Sequence, residues 1–478
     1  MGRRRMHTVP EALYHRKLHR QGEQSADVQA TVLELVLPPS MHSGSVSLFS
    51  SALSNDNMPL PIPDEELDTL TSLYQSLGGP EWHVKDAWMS NLNPCGNGTI
   101  NTTWYGVKCA TFAAALSNES SSHVTGLVLP QNNLVGKLPP LLSLQHLVHV
   151  DFSNSASSEG NTVGGTLDAL CGLGNLSTVL LAYNNITGVI PNCIQSLANA
   201  TVLNFDHNAI QGTIPDEICR LRNIEELLLR GNHLRGTVPE CIGEDLTALR
   251  ILDCSNYNAD RTDGKQSLSG TLPTSFCKLK HLKSLLFQQT QGIHGTIPDC
   301  LGVKQPQLQE LDLQDNQFSG TLPPSVCQAS ALQHLYLSEN ALTGTVPRCL
   351  GSLSQLVELE LAINQFHGPI HEELCQLSSL EILYLFENAL TGTLPSCLGS
   401  LSQLTDLDLS INQFHGALPE ELSHSSALEI LYLYENSLTG TLPNFLGSLR
   451  QLAELGLYAN YFHGTIPEKL CQSTALDY

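Results

Sequence analysis

The sequence predicts an α/β solenoid of about 14 short units, each with one strand and one short helical segment, stacked along a single axis. The first observation is the pattern L-x-L-x-x-N-x-L-x-G, which returns in steps of 24 residues within each of two runs. Its asparagines are Asn184, Asn208, Asn232, Asn316, Asn340, Asn364, Asn388, Asn412, Asn436 and Asn460. The second observation is a period of 48, because "ENALTGTVPRCLGSLSQL" at 339–356 returns as "ENALTGTLPSCLGSLSQL" at 387–404. Such fixed periods indicate one repeat array instead of several globular domains.

Residues 1–60 differ from the repeats, because their start is basic and their later part is rich in serine without apolar periodicity. This composition predicts a disordered leader. The apolar stretch "ATVLELVL" is short and contains Glu34, so it does not match a secretory signal peptide. We therefore divide the chain into a leader at 1–60, an N-terminal cap at 61–122 and a solenoid at 123–478.

One repeat shows how a unit arranges its apolar side chains. Leu383 and Leu385 are expected to point inward from a short strand, because side chains alternate along a strand. Leu398 and Leu401 follow at a spacing of three, which predicts the inward face of a helical or 3₁₀ segment. The amide of Asn388 can satisfy backbone groups of the buried turn. One unit cannot bury this row alone, so the units must stack.

The phrase "LTGTLPxxLGSLxxL" resembles the plant-type leucine-rich repeat. That repeat occurs in the ectodomains of receptor-like kinases and receptor-like proteins, and in polygalacturonase-inhibiting proteins. The resemblance covers residues 61–478. It implies a concave parallel sheet with convex short helices and 3₁₀ turns.

The segment before the repeats is similar to the N-terminal cap of that family. Its helix is expected to begin with Asp64 as N-cap and to end before Gly78. The apolar face of this helix is Leu67, Leu70, Leu73, Tyr74 and Leu77. The resemblance implies that Cys95 pairs with Cys109. It also implies that three tryptophans cover the open edge of the first coil: Trp82, Trp88 and Trp104.

The remaining cysteines alternate between two positions, seven or five residues past the glycine of the repeat. Two pairing schemes can join neighbouring coils. In one, the first position pairs with the next second position, as Cys375 with Cys397; in the other, the second position pairs with the next first position, as Cys349 with Cys375. Where the second position is Phe445, the preceding first position is Ser423, so both members of one pair are absent together. The other scheme would leave Cys397 alone. The predicted disulfides are Cys171–Cys193, Cys219–Cys241, Cys277–Cys300, Cys327–Cys349 and Cys375–Cys397.

The alternative for these cysteines is a set of small apolar thiols in a reducing compartment. Zinc is disfavoured, because each pair offers two sulfurs whereas structural zinc takes four ligands. Cys254 is expected to be a buried free thiol at an inward strand position. The sequence stops at Tyr478 inside the last unit without a closing cap, so Cys471 is expected to pair beyond it in a longer chain.

The predicted compartment follows from two sequence features. Disulfides favour an extracellular or cell-surface protein, and N-x-S/T sequons point the same way. The sequons begin at Asn97, Asn101, Asn118, Asn175, Asn185 and Asn199. The missing signal peptide favours the alternative, a cytoplasmic protein.

No catalytic set is found in the sequence, so we expect no enzyme activity, cofactor or metal. His367, His415 and His463 recur at 48 residues, but alternate coils lie about 10 Å apart, too far to share one metal ion. The formal net charge of −23 opposes a nucleic-acid partner. No stretch has the roughly 20 apolar residues of a membrane-spanning helix.

Function is therefore expected on a surface, and the outward strand positions of the concave sheet are the candidates. Acidic and aromatic residues alternate there, beside Glu339, Glu387 and Glu435. The candidate binding residues are Glu310, Asp312, His334, Tyr336, Glu358, Glu360, Ile382, Tyr384, Phe386, Asp406, Asp408, Tyr432, Tyr434, Glu454 and Tyr458. Outward aromatic side chains are enriched at binding hot spots, and acids favour a basic partner.

Three functions fit this surface. The first is the ligand-recognition region of a receptor-like protein or receptor-like kinase, binding a protein or a peptide. The second is a secreted glycosidase inhibitor of the polygalacturonase-inhibiting type, which the resemblance also implies. The third is a structural or adhesive spacer, because duplication of a 48-residue unit copies surface residues whether or not they bind a ligand.

Overall fold

The structure is a computed structural model of the chain and describes residues 62–90, 93–95, 103–113, 120–155, 160–256 and 267–471. The predicted leader at 1–60 lies outside these ranges, as do the sequon residues Asn97, Asn101 and Asn118.

One long sheet runs through the described part of the chain. Its fifteen strands are Val107–Ala113, Ser120–Val128, His149–Asp151, Thr178–Leu180, Val202–Asn204, Glu226–Leu228, Ile251–Asp253, Ser284–Leu286, Glu310–Asp312, His334–Tyr336, Glu358–Glu360, Ile382–Tyr384, Asp406–Asp408, Ile430–Tyr432 and Glu454–Gly456. The first two strands pair antiparallel, and each later strand pairs parallel with its predecessor. Their order in the sheet is their order in the sequence, which is the topology of a solenoid.

Shorter sheets lie beside the main one, formed by the segments that follow each turn. A three-stranded sheet contains Val135–Lys137, Thr162–Thr166 and Asn185–Thr187, and a two-stranded sheet pairs Gln211–Gly212 with His233–Leu234. A ten-stranded sheet contains Gly236–Thr237, Leu268–Gly270, Gly292–Gly295, Gln317–Thr321, Ala341–Gly344, Gln365–Gly368, Ala389–Gly392, Gln413–Gly416, Ser437–Thr441 and Tyr461–His463. These lateral strands are a feature that the sequence interpretation did not include.

The helical segments are short, and most are single 3₁₀ turns. The α-helices among the described residues are Asp64–Ser76, Cys241–Asp245 and Glu468–Cys471. The 3₁₀ helices are Gly79–Glu81, Leu167–Leu170, Asn192–Ser196, Asp216–Arg220, Thr274–Lys278, Pro324–Gln328, Arg348–Ser352, Glu372–Gln376, Ser396–Ser400, Glu420–His424 and Asn444–Ser448. A proline commonly occupies the N-cap of these turns, where the backbone is extended and suits the fixed φ of proline.

The core is a continuous stack of inward leucines, and the predicted interior of the unit at 383–404 is confirmed. Leu383, Leu385, Leu398 and Leu401 are all fully buried. This stack of coils agrees with the predicted α/β solenoid.

Each asparagine of the repeat joins two coils through its side chain. Nδ2 of Asn388 donates to the carbonyl of Leu361 in the preceding coil, at 3.1 Å, and to that of Leu385 in its own coil, at 3.1 Å. Oδ1 of Asn388 accepts from the backbone N–H of Phe366, at 2.9 Å. The same pattern recurs at Asn364. These amides satisfy backbone groups that the buried turn would otherwise leave unpaired.

The N-terminal cap contains the expected tryptophan cluster. Trp82, Trp88 and Trp104 are nearly fully buried, and the ring of Trp88 lies 4.9 Å from each of the other two ring centroids. The prediction for the N-cap of the helix is wrong: Pro63 occupies that position without a side-chain hydrogen bond, and Asp64 is the first helical residue.

A buried pair in the cap was missed by the sequence interpretation. Glu66 of the helix Asp64–Ser76 is 3% exposed and accepts hydrogen bonds from Nδ1 of His123, at 2.6 Å, and from the backbone N–H of Val124, at 2.8 Å. These contacts hold the cap helix against the second strand of the main sheet. A glutamate near a helix start gives no sequence signal for such a distant partner.

The disulfides in the structure are the predicted pairs. They are Cys95–Cys109, Cys171–Cys193, Cys219–Cys241, Cys277–Cys300, Cys327–Cys349 and Cys375–Cys397, with Cα atoms 5.5–5.9 Å apart. Where the pair is absent, Phe445 is buried against the core and Ser423 is exposed. Cys254 is a buried free thiol, as expected.

Candidate ligand-binding face

The strand register places the candidate residues in columns on one side of the main sheet. We call this side, which faces away from the leucine core, the concave face. One column reads Asp312, Tyr336, Glu360, Tyr384, Asp408 and Tyr432, each directly paired with the next. A parallel column reads Glu310, His334, Glu358, Ile382, Asp406, Ile430 and Glu454. The parallel sheet therefore brings all of these residues to one surface.

The concave face is more buried than its sequence indicates. Many of the candidate side chains are less than a tenth exposed: Asp312, Tyr336, Glu358, Glu360, Ile382, Asp406, Asp408 and Tyr434. A second group is half-buried: Glu310, His334, Tyr384, Phe386, Tyr432 and Glu454. Tyr458 is 62% exposed. The physical reason is the narrow spacing of about 4.8 Å between strands, which lets long side chains cover shorter neighbours.

Phenol and carboxylate groups pair across neighbouring strands. The hydroxyl of Tyr336 donates a hydrogen bond to Oε2 of Glu358, and Nδ1 of His334 lies 3.3 Å from the same hydroxyl. The hydroxyl of Tyr432 likewise donates to Oε2 of Glu454. Burial and the adjacent carboxylate charges raise the pKa of both tyrosines, so these phenols stay protonated donors.

Aromatic rings form ridges at two-coil intervals. Tyr384 and Phe386 make an edge contact with ring centroids 6.2 Å apart, and Tyr432 and Tyr434 repeat it at 5.8 Å. Tyr434 also stacks on Tyr458, with centroids 4.6 Å apart and an interplanar angle of 7°. The intervening coils carry acidic and small side chains, so ridges and acidic furrows alternate along the face.

Gly456 ends the column of alternating acids and tyrosines. A β-carbon there would lie 2.9 Å from Cδ1 of both Tyr432 and Tyr434. Glycine therefore leaves room for the two rings to lean over the last strand.

Burial raises the pKa of two acids of this face, Asp408 and Glu310. Burial raises the pKa of Asp408 to about 6, although Ser410 donates to its Oδ1 from both backbone and hydroxyl. Burial, with the charge of Asp253, raises the pKa of Glu310 to about 7. Burial also lowers the pKa of His334, against the opposing effect of Glu358. Folding therefore disfavours the ionised form of the Asp408 and Glu310 carboxyl groups.

Charge is segregated in the second half of the solenoid. The seven strands from Glu310–Asp312 to Glu454–Gly456 carry seven acidic residues and no lysine or arginine. Residues 300–471 contain four lysine and arginine side chains, Lys304, Arg348, Arg450 and Lys469, all in bends, turns or short helices outside the sheets. The concave face is therefore negative, and the cations lie elsewhere on the coils.

The first half of the face contains polar residues that the sequence interpretation missed. Burial and the charge of Asp253 raise the pKa of Asp206, while the nearby charge of Arg230 opposes the shift. The ring of His207 stacks on Tyr183 at 4.2 Å, and burial lowers the pKa of His207 to about 4. Extending the same outward columns toward the N-terminus would have found these positions, so the signal was present.

The structure also bears on metal and membrane sites. Asp168, Cys171 and Cys193 are close enough to share an ion, but the two sulfurs form a disulfide and cannot act as thiolate ligands. None of the helices in the described ranges has the length and apolar character required to cross a bilayer.

Three of the sequon asparagines lie in described segments. Asn175, Asn185 and Asn199 are all exposed. The amide of Asn175 donates to the carbonyl of Gln145, at 2.8 Å, and that of Asn199 to Gly174, at 2.9 Å. All three residues therefore lie at the surface, and the amides of Asn175 and Asn199 also bond to backbone carbonyls of the preceding coil.

Comparison with known proteins identifies the repeat. A family model described as a leucine-rich repeat region matches residues 246–463, and one described as a leucine rich repeat matches residues 174–234. Protein STRUBBELIG-RECEPTOR FAMILY 1 of Arabidopsis thaliana is 34% identical over 163 residues, which are 34% of this chain and 18% of that protein. The chain thus spans only a small part of that relative.

Solved structures give a wider match. The structure of PEPR1–AtPEP1 is similar over 87% of this chain and 54% of that chain, with 26% identity and a TM-score of 0.71. The Arabidopsis receptor kinase HAESA, solved with the peptide hormone IDA and the co-receptor SERK1, is similar over 87% of this chain and 69% of that chain. Its identity is 28% and its TM-score is 0.67. Since the two family models together span more than half of the sequence, the chain belongs to the leucine-rich repeat family, with the plant type of repeat that its sequence predicts.

Proposed function

We propose that the chain is the ligand-recognition region of a receptor-like protein or receptor-like kinase, and that it binds a basic protein or peptide on the concave face. The observation that carries the proposal is the charge segregation: the last seven strands present acids and aromatic rings without a lysine or arginine. A negative surface steers cationic partners toward itself and rejects anionic ones. We propose that this surface recognises its partner without catalysing a reaction, and that it binds neither a cofactor nor a nucleic acid.

Structural similarity to two receptors solved with peptides supports this role. The PEPR1 and HAESA structures are named as complexes with AtPEP1 and with the peptide hormone IDA, and both resemble the present solenoid over most of its length. The solenoid is a non-catalytic type of fold, which agrees with a recognition role.

We further propose an extracellular or cell-surface location. Six disulfides among the described residues suit an oxidising compartment, and Asn175, Asn185 and Asn199 are exposed for glycosylation.

The contacts for a ligand are proposed on the open part of the face. Glu387 and Glu435 are exposed, and Tyr384, Phe386 and Tyr432 are half-buried beside them. The two exposed acids supply negative potential, and the aromatic rings beside them supply apolar contact. A ligand therefore meets the aromatic ridges first.

The test measures the affinity of the purified chain for nonalysine, a peptide of nine lysines, labelled with fluorescein. The double variant Glu387→Gln/Glu435→Gln is expected to weaken binding by about threefold or more, and added salt is expected to weaken it further. The control is Glu372→Gln/Glu420→Gln, which removes the same charge from exposed positions of two 3₁₀ helices. Equal loss in both double variants would show that nonalysine follows net charge alone, and the proposal would fail.

A further inference from the structure

The exposed acids of the concave face recur at every second coil. Glu339, Glu387 and Glu435 occupy equivalent turn positions 48 residues apart, each exposed and each with a left-handed φ between 51° and 56°. Ile363 and Ile411 take the same position in the coils between them and are half-buried. Glutamate and isoleucine therefore alternate in this column of turn positions, from Glu339 to Glu435.

This alternation sets a distance. Parallel strands lie about 4.8 Å apart, so consecutive glutamates of the column stand about 9.6 Å apart along the solenoid axis. Each of Glu387 and Glu435 directly follows an aromatic ridge, formed by Tyr384 with Phe386 and by Tyr432 with Tyr434. A ligand lying along the axis meets an acid and a pair of rings at the same interval.

Regular peptide conformations differ in how well they match that interval. Three residues of a polyproline II helix, which form one turn, span about 9.3 Å. Two residues of an extended strand span about 6.7 Å. Two turns of an α-helix span about 10.8 Å. The polyproline II helix matches best, and it carries one side chain per turn on the same side.

Resting on the proposed function, we infer that the column from Glu339 to Glu435 binds a polyproline II peptide with a lysine or arginine at every third residue. Each cation pairs with one glutamate. The proline rings between cations pack on Ile363 and Ile411 and against the neighbouring aromatic ridges, as proline-rich ligands do in aromatic-lined grooves. A peptide already held in this conformation loses little entropy on binding.

The test compares three peptides of identical composition, each with five lysines and ten prolines. In the first, Lys-Pro-Pro repeats five times; in the second, Lys-Pro repeats five times before five prolines; in the third, five lysines precede ten prolines. The first peptide is expected to bind about fivefold more tightly than the other two, because it alone places a lysine opposite each of the three glutamates. Glu387→Gln is expected to reduce this preference, and the convex control Glu420→Gln is expected to keep it.

The outcomes separate this inference from the function on which it rests. Equal or reversed affinities of the three peptides would overturn the register, while the nonalysine response to Glu387→Gln/Glu435→Gln would still support recognition by the acidic face. If that response is also absent, the proposed function fails as well. Circular dichroism of each variant checks that the solenoid is folded.

Discussion

The hydroxyl of Tyr336 donates a hydrogen bond to the carboxylate of Glu358 on the adjacent strand, and both side chains are buried. A buried carboxylate that loses its donor keeps the cost of desolvation without the compensating bond. This pair therefore fixes two neighbouring coils in register on the concave face.

Tyr336→Phe is expected to lower the free energy of unfolding by about 1–3 kcal/mol, because Glu358 loses its phenol donor. The measurement is urea unfolding followed by circular dichroism. Tyr458→Phe is the matched control, since Tyr458 is 62% exposed and the same hydroxyl is removed there. A loss at Tyr336 no greater than at Tyr458 would contradict the importance of the buried bond.

Asp408→Asn is expected to change how stability depends on pH. Burial raises the pKa of Asp408 to about 6 from an ordinary value of 3.8, so the folded protein holds this proton more tightly than the unfolded chain. The resulting stability is full below pH 3.8 and is lost as the pH rises through about 6. Asparagine can accept the same bonds from Ser410 without an ionised form.

The variant should therefore gain stability relative to the natural chain between about pH 4 and pH 7.5, by up to about 3 kcal/mol. Thermal unfolding at several pH values measures the difference. Asp216→Asn, at an exposed position of the 3₁₀ helix Asp216–Arg220, serves as control. A parallel shift of the curve at all pH values would argue against an elevated pKa.

Asn388→Ala removes a side chain that bonds to two coils. The backbone N–H of Phe366 would lose its amide partner, and the carbonyls of Leu361 and Leu385 would each lose one of two asparagine donors. We expect a loss of about 2–4 kcal/mol in unfolding free energy, larger than for one ordinary hydrogen bond. Asn444→Ala, at an exposed position of a 3₁₀ helix, should cost far less in the same urea titration. Similar losses at both positions would mean that water replaces the amide.

Cys375→Ser/Cys397→Ser opens the disulfide between two neighbouring coils. The disulfide joins residues 22 apart in the sequence, and its removal is expected to cost about 3 kcal/mol by relaxing the unfolded chain. Hydrogen exchange read by mass spectrometry should show faster exchange in coils 372–404 than in the natural chain, whereas the coils around Cys219–Cys241 should be unchanged. Uniformly faster exchange in both regions would indicate global loss of the fold instead.

The buried side chains of each coil can be predicted from local sequence patterns, whereas the exposure of the outward side chains cannot. The spacing of Leu383, Leu385 and Leu398 predicts burial because periodicity alone decides which side of a coil a residue occupies. The disulfide pairs follow from the joint absence of cysteine at Ser423 and Phe445, which is also a property of the sequence.

The degree of burial on the concave face depends on neighbours in the adjacent coils, 24 residues away in the sequence. Asp408 is 1% exposed beside the ridges of the flanking strands, and its own strand gives no sign of this. The same limit applies to Glu66, whose partner His123 is 57 residues away. Position in a column is therefore predictable, whereas accessibility within that column requires the packed side chains.

The absence of a disulfide at Ser423 and Phe445 has a mechanical consequence. The two preceding double coils are closed by the disulfides Cys327–Cys349 and Cys375–Cys397. A pulling force on the chain passes through each disulfide and cannot extend the residues between its two cysteines. The coils around Phe445 rely on van der Waals contact and hydrogen bonds alone, and under tension they should peel away before their crosslinked neighbours yield.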